Sequence, residues 1–485
     1  MTDITDSNTT DNSPADGSNT RSATVVDDRS DPTTDTITST ATAETPITAA
    51  TNTTASTSPA RTTHASLWRN PQYRAWFTAD TASAVGLAMK GFAISLVAFS
   101  LTKSLPTAGW LATASMIAAQ TADVFGGTLV DRHNRKRLII LNAICGAVLW
   151  GAVFALLASG LLTFPVFAVV IVAASTINGL LGSATNAMLR SIIPTADYPK
   201  AQSLNQGRDS VIALAGSPLG GVLYAFGMWV PFAVASIMYA IAGISAGMLR
   251  VDEHVRDMIG RNGERNAAND TSAVARGSFV DDFVEGWRWT LRRRTLMTLT
   301  TIAALLNFGV NGIFQSVQLQ LVGSGVDSVR IGFVSTAVGA GMLIGAVIAA
   351  RVCDRLAVGT GLVVMSVAAL ATLAPMIVSD AYPVMLVSSL LCGLPVPTIN
   401  TLLMGFIFAK VPTKMQGRVN SSSNLMCLLP TMFCSAIAGS LLPTIGFRMT
   451  VALFLLALAA NVAIVLAMPA VRSIPAADRW NEAEL

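Results

Sequence analysis

Gly127-Thr128-Leu129-Val130-Asp131-Arg132-His133-Asn134-Arg135-Lys136-Arg137 places one carboxylate and four basic side chains between two apolar runs, residues 107–129 and 138–160. Each run is about 20 residues long, the length that crosses roughly 30 Å of hydrocarbon at 1.5 Å per residue. A charged stretch this short, held between two such runs, reads as a loop on one face of a membrane.

The same alternation continues in both directions. Ten further apolar runs fall near residues 76–101, 163–187, 203–226, 230–249, 296–321, 329–351, 358–378, 382–407, 419–443 and 448–469, so the sequence predicts twelve spans. Composition agrees. Of 485 residues, 52% are hydrophobic and 12% charged, about half the charged share of a soluble domain. The fold class is therefore an all-α integral membrane protein.

Orientation follows from Lys and Arg, which short cytoplasmic loops retain. One alternate set of connections holds Arg132, Arg135, Lys136 and Arg137; Arg190 and Lys200; the basic group at 250–294; Arg351 and Arg355; and Lys410, Lys414 and Arg418. The opposite set holds Lys103, Arg330 and Arg448. Both termini are thus expected in the cytoplasm of a multi-pass plasma-membrane protein. The formal net charge of +4 belongs to these loops, which leaves no argument for nucleic acid as a partner.

Residues 1–65 are built from Thr, Ser, Asp, Ala and Asn, a composition that cannot offset its ordering entropy, and are expected to be a disordered cytoplasmic tail. No basic start followed by an apolar run precedes Trp68, so a signal peptide is not expected. Two six-span bundles follow, 66–249 and 295–470, separated by a cytoplasmic loop at 250–294 and ended by a tail at 471–485. Asp131-Arg132 closes span 2 and Asp354-Arg355 closes span 8, an offset of 223 that Arg69 and Arg292 share. Parallel six-helix repeats with a site between them are a transporter architecture. In the central loop, Phe279, Val280, Phe283, Val284 and Trp287 recur at helical spacing around Asp281, Asp282 and Glu285. They describe either an amphipathic helix on the inner membrane face or a simple exposed one.

Several chemistries are excluded. His64, His133 and His254 all lie outside the spans, so no histidine metal cluster forms. Cys145, Cys353, Cys392, Cys427 and Cys434 show neither a disulfide framework nor a CxxC clip. Without a GxxxxGK[ST] phosphate loop the chain cannot be an ATP-driven pump. No His, Glu or Cys cluster supplies a polytopic enzyme. Neither enzymatic activity, a cofactor nor a metal is expected.

The quoted loop resembles the G-x-x-x-D-R-x-G-R-[RK] signature of the major facilitator superfamily, with Asn134 in the place of the usual Gly as the next residue best able to take a left-handed turn. Further segments are similar to the drug:proton antiporter branch of macrolide-efflux and enterobactin-exporter proteins: Tyr73-Arg74-Ala75-Trp76-Phe77, the stretch 283–294, and Gln416-Gly417-Arg418-Val419. Gly216-Ser217-Pro218-Leu219-Gly220-Gly221 in span 5 looks like the GPxxGG of exporter-type members. Physically, Gly216, Gly220 and Gly221 permit close helix packing, and Pro218 frees a backbone carbonyl that a neighbour must satisfy. The exporter Arg within span 4 is missing. The resemblance, covering about 68–470, implies twelve helices in two pseudo-symmetric bundles and alternating access. It also implies a monomer that moves a small molecule across the lipid bilayer with protons as coupling ion. Gly127, Asp131, Arg132 and Arg135 would form a latch, with Asp131 accepting hydrogen bonds from the backbone N–H groups that open span 11 near 418–420. Lys136 and Arg137 read as topology determinants.

Charges within hydrocarbon are costly, about 2.5 to 3.5 kcal/mol on insertion scales, and few are present. Lys90 lies near the middle of span 1, where the resemblance puts spans 1, 4, 7 and 10 around a cavity. It is either a substrate or coupling residue, or the partner of Asp80, Asp123 or Asp209. Asp80 and Asp123 are the carboxylates for proton coupling, and Arg208 with Asp209 reads as an interfacial pair. Asn307, Asn311, Gln315 and Gln318 share one face of span 7. With Ser175, Asn178 and Thr185 of span 4 and Thr398, Asn400 and Thr401 of span 10, they either line a substrate cavity or tie helices together. The expected function is proton-coupled export of amphipathic drugs or a metabolite. An uptake permease for a small polar solute and a transport-inactive sensor are the alternatives.

Overall fold

The computed structural model describes residues 67–193, 197–249, 279–353, 355–411 and 415–476, all within the compact unit His64–Leu485. The N-terminal tail and most of the central loop, with the expectations placed on them, lie outside the described residues.

The first half comprises α1 (Pro71–Thr102), α2 (Leu105–Arg132), α3 (Arg135–Ala158), α4 (Phe164–Leu181) continued by α5 (Ser183–Ile192), α6 (Tyr198–Phe226) and α7 (Val230–Gly247). Helix α8 (Phe279–Arg292) sits where the central loop shows helical spacing. The second half comprises α9 (Arg294–Gly323), α10 (Ser328–Val352), α11 (Val358–Leu373) with α12 (Pro375–Val378), α13 (Tyr382–Gly393) with α14 (Pro395–Lys410), α15 (Gln416–Met432), α16 (Cys434–Ala467) and α17 (Pro469–Arg472).

Among the described residues, ten segments are long and apolar enough to cross a membrane. The last of them, Ser422–Ala467, holds two spans, because α16 turns back at Gly446, whose φ of 77° only glycine adopts without strain. The twelfth is α2, whose 28 residues are sufficient in length but diluted by Thr107, Thr113, Gln120, Thr121 and Asp123. Twelve spans in two bundles result.

Polar side chains set the helix ends. The Asn70 side chain accepts from the Gln72 and Tyr73 N–H groups, and Ser104 and Asp327 cap α2 and α10 in the same way. Asn134 corrects the sequence reading. Its φ of −66° is not left-handed, and its side chain caps α3 by accepting from the Lys136 and Arg137 N–H groups. Asparagine suits this position as an N-cap acceptor, which glycine cannot be. Residues 471–476, the described part of the expected C-terminal tail, reach α11. The Ile474 and Pro475 carbonyls accept from the Gly359 and Val358 N–H groups, pairing donors that the start of α11 leaves open.

The two halves pack alike. In the first, α1 packs on α6 and α7, α3 on α7, and α2 on α4; in the second, α9 packs on α15 and α16, α11 on α16, and α10 on α13. The offset of 223 residues holds inside these contacts. Gly86 meets the Ala235 backbone, and Gly309 meets Leu458.

The halves join along two related seams, α2 with α16 and α10 with α6. Leu105, Gly109 and Thr113 on α2 correspond at that offset to Ser328, Gly332 and Thr336 on α10. The Leu105 carbonyl lies against Gly439, where an added Cβ would stand 2.6 Å away, and the Ser328 carbonyl lies against Gly221 at 2.5 Å. Gly109 abuts the Ser435 carbonyl, and a Cβ on Gly332 would be 2.7 Å from the Ser217 carbonyl oxygen. Thr113 Oγ1 accepts from the Ala436 N–H at 3.1 Å, and the Thr336 hydroxyl donates to the Leu214 carbonyl at 3.3 Å. Leu214 precedes Pro218 by four residues, so this is the carbonyl that the proline leaves without a helical donor. The Ser328 hydroxyl donates to the Gly221 carbonyl at 2.9 Å. These contacts sit at the membrane end that carries Lys103, Arg330 and Arg448, away from the basic loops.

Valine at Gly332 pushes directly on backbone and is expected to part the α6–α10 seam while each bundle stays folded. A Ser328→Cys reporter, shielded in the sealed seam, then reacts with a membrane-impermeant thiol reagent in the Gly332→Val background. Unchanged labelling would show that the seam tolerates the extra carbons.

Candidate functional site

Within the first bundle, Lys90 of α1 is 5% exposed, and its Nζ stands 4.1 Å from the ring centroid of Trp150 on α3. Trp150 is itself buried and stacks on Phe232 of α7 with centroids 5.9 Å apart. One turn before Lys90, Gly86 lets the Tyr239 ring of α7 approach α1. The ammonium is thus set in an aromatic wall inside one bundle. The equivalent position of the second bundle, Ile313, is fully buried. No ion pair joins Lys90 to Asp80, Asp123 or Asp209 among the described residues. A desolvated cation–π contact contributes about 2 kcal/mol, which only approaches the insertion cost of a lysine at mid-membrane.

Asp80 has another partner. Arg208 of α6 reaches its carboxylate at 2.5 Å and that of Asp209 at 2.7 Å, so one guanidinium serves two carboxylates. Arg208 also donates to Thr81 Oγ1 at 3.4 Å and lies over the Phe77 ring, 5.3 Å from its centroid. The expected pair of Arg208 with Asp209 is present, and the arginine in addition ties α6 to α1. Asp123 is exposed on α2 and has no ion-pair partner among the described residues.

On α9 the polar face is present. Asn311 is exposed near the helix centre, and Asn307, Gln315 and Gln318 are half-buried. The Asn307 and Asn311 amide N–H groups donate to the Ala303 and Asn307 carbonyls, both at 2.9 Å. Asn178 on α4 is half-buried, and Asn400 on α14 is exposed. Exposed carboxamides within membrane helices belong against protein-lined water and not against hydrocarbon.

The signature loop contributes structure at the basic end. Arg135 donates to the Ala187 carbonyl at 3.1 Å, binding α3 to α5. Lys136 is more than a topology determinant, since its ammonium donates to the Gly247 and Leu249 carbonyls and so closes the end of α7. Gly127 faces open space. The Asp131 and Arg132 side chains, with those of Gln416 and Arg418, lie outside the described residues, and so does the latch. In the Gly216–Gly221 segment, Gly216 and Gly220 face α1 at Ala88 and Phe92, while Gly221 faces α10.

Sequence reasoning missed Trp150 as the neighbour of Lys90, and it missed Thr113, Ser328 and Thr336. Thr113 and Thr336 carried a signal, because Gly109 and Thr113 recur as Gly332 and Thr336 at the known offset. Among the described residues, no group of three His, Cys, Asp or Glu is placed to hold a metal ion.

Removing Arg208 leaves Asp80 largely buried without its cation, whereas removing both leaves only the half-exposed carboxylate of Asp209 without it. Arg208→Leu is therefore expected to lower the thermal unfolding temperature of purified protein, and Asp80→Leu combined with Arg208→Leu to recover most of the loss. Equal losses in the single and double variants would mean that the pair contributes little.

The sequence model of the Major Facilitator Superfamily matches residues 77–433. Macrolide efflux protein A of Streptococcus pyogenes is 23% identical over 372 residues, which cover 73% of this chain and 85% of that protein. The uncharacterized MFS-type transporter YkuC of Bacillus subtilis is 24% identical over 297 residues, covering 60% and 66%. Among solved structures, a bacterial homologue of the iron transporter ferroportin in an inward-facing state superposes with a TM-score of 0.61 at 17% identity, covering 81% of this chain and 98% of that one. The nucleoside transporter NupG superposes with a TM-score of 0.57 at 12% identity, covering 81% and 100%.

Proposed function

This chain belongs to the Major Facilitator Superfamily, and we propose that it is a secondary exporter in the plasma membrane that moves amphipathic drugs or a metabolite outward in exchange for protons. The observation that carries the reading is the pair of exposed carboxamides, Asn311 and Asn400, at membrane depth in a protein whose halves meet along pseudo-symmetric seams. Export rather than uptake is favoured by the likeness to a macrolide efflux protein.

With the basic loops in the cytoplasm, the seams seal the outer end, which corresponds to an inward-facing conformation. The seams are suited to reopening. They rest on backbone packing across glycines and on three hydrogen bonds, each of the kind that contributes about 0.6 kcal/mol in a membrane. Substrate enters from the inner side and meets the carboxamides of α9 and α14, with Asn178 on α4 completing the polar lining.

Coupling runs through Asp80. A proton on its carboxylate removes the charge that holds Arg208 to α1 and leaves the arginine to Asp209. Arg208 is six residues before Leu214, whose carbonyl accepts from Thr336 across the α6–α10 seam. The protonation state of Asp80 thereby bears on the helix that seals the outer end. Lys90 and Asp123 are the other ionisable groups available for coupling. Asp131, Arg132 and Arg135 would hold the inner end once it closes.

Cells lacking their own efflux pumps are expected to accumulate several-fold less of a fluorescent amphipathic dye when they express this protein, and a protonophore is expected to restore accumulation. Asp80→Asn is expected to remove the protonophore-sensitive part. Unchanged accumulation with correctly inserted protein would reject export of this substrate class, and greater accumulation would indicate uptake.

A further inference from the structure

At the basic end of the first bundle a cleft of about 790 Å³ opens between the start of α3 and the end of α7, walled by Lys136, Arg137 and Ile140 on one side and by Gly247, Met248 and Leu249 on the other. Two cations line it and no carboxylate does. The Asn134 side chain already accepts from the Lys136 and Arg137 N–H groups at the start of α3. The attraction for an anion therefore comes from the two basic side chains and not from an open helix end.

Lys136 is fixed in place. Its ammonium donates to the Gly247 carbonyl at 2.9 Å and to the Leu249 carbonyl, which occupies two of its three N–H groups. Carbonyls are dipoles, so the charge itself stays uncompensated. Arg137 is exposed, and its guanidinium has no ion pair among the described residues.

The membrane side of the cleft is apolar. Arg137, Leu141, Ile144 and Val148 follow one another at spacings of four, three and four, and the three apolar residues are exposed, so one face of α3 runs from the cation into the hydrocarbon. On α7, exposed Ile237, Ile241 and Ile244 lead in the same way to exposed Met248, itself a wall of the cleft. A soluble anion has no use for these faces. A phospholipid matches both parts, with phosphate at the cations and acyl chains along the helices. A zwitterionic headgroup would bring its own cation against Lys136 and Arg137.

We infer that this cleft seats the phosphate of an anionic phospholipid from the leaflet on the basic side, its acyl chains lying along α3 and α7. Basic pockets between membrane helices take such headgroups. So held, the lipid braces the signature loop against the end of α7. Such a site is independent of the transported substrate.

Native mass spectrometry of the detergent-solubilised full chain, titrated with phosphatidylglycerol or with phosphatidylcholine of the same acyl chains, tests the site. Phosphatidylglycerol is expected to bind several-fold more tightly, and Arg137→Gln to weaken it about fivefold, the loss of one cation near a lipid phosphate. A Cβ on Gly247 meets nothing within 4 Å, so Gly247→Phe should fill the cleft without moving the backbone and remove the preference for the anionic lipid. Arg351→Gln, which deletes an exposed cation at the same end of the other bundle, should leave that preference unchanged. Equal affinity for the two lipids, or equal losses in Arg137→Gln and Arg351→Gln, would overturn the site in favour of diffuse surface charge. Displacement by glycerophosphoglycerol, the same headgroup without chains, at the concentration of the lipid would mark a soluble-phosphate site and overturn the lipid. Asp252 and Glu253 follow the cleft in sequence. Lipid binding seen only when Asp252→Asn is combined with Glu253→Gln would assign the cleft to the chain's own carboxylates and overturn it equally.

Discussion

Inside a bilayer a backbone carbonyl that loses its helical partner has no water to turn to, and the rest of this structure depends on how that constraint is met at Pro218. The proline removes the donor for Leu214, and the hydroxyl that replaces it comes from Thr336 in the opposite half. A break that would weaken an isolated helix becomes a bond between the two bundles. Such a bond can be exchanged, because a hydroxyl in a membrane has competing acceptors within its own helix; here Thr336 also reaches the Gly332 carbonyl at 3.2 Å. Glycines complete the arrangement by letting carbonyls of one half rest on the backbone of the other without side chains to interlock them.

Pseudo-symmetry explains why the seams come as a pair. Leu105, Gly109 and Thr113 on one helix and Ser328, Gly332 and Thr336 on the other solve the same packing problem with partly different residues. The chemistry has diverged further. The middle of the first bundle buries Lys90 on Trp150, whereas the second has Ile313 in that place and carries amides along the neighbouring face. One half therefore holds the intramembrane charges, Lys90, Asp80, Arg208 and Asp123, while the other holds most of the neutral hydrogen-bonding groups. In the proposed exporter this divides proton handling from substrate contact.

Much of the fold was legible because span length and loop charge are local properties of the chain. α2 was read correctly despite its modest hydropathy, since the charged loop at its end marks the boundary. Asn134 was misread because a capping asparagine and a left-handed one look alike in a sequence. The site was less legible, for a physical reason: its contacts are tertiary. Asp80 meets Arg208 and Lys90 meets Trp150 through helix packing that no local pattern encodes. The seam residues were visible in principle, because a self-comparison at the offset of 223 aligns Gly109 with Gly332 and Thr113 with Thr336. The offset had been read only from charged loop residues, where it serves topology.

In the proposed exporter the two bundles rock about these seams, so that one end opens as the other closes. Pulsed electron–electron resonance on protein in lipid nanodiscs, with one label pair spanning the halves at the end carrying Lys103 and Arg330 and another at the end carrying Arg137 and Lys410, tests it most directly. Lowering the pH should move the two distance distributions in opposite directions, lengthening the first and shortening the second. Distributions that stay fixed, or that lengthen and shorten together, would contradict it.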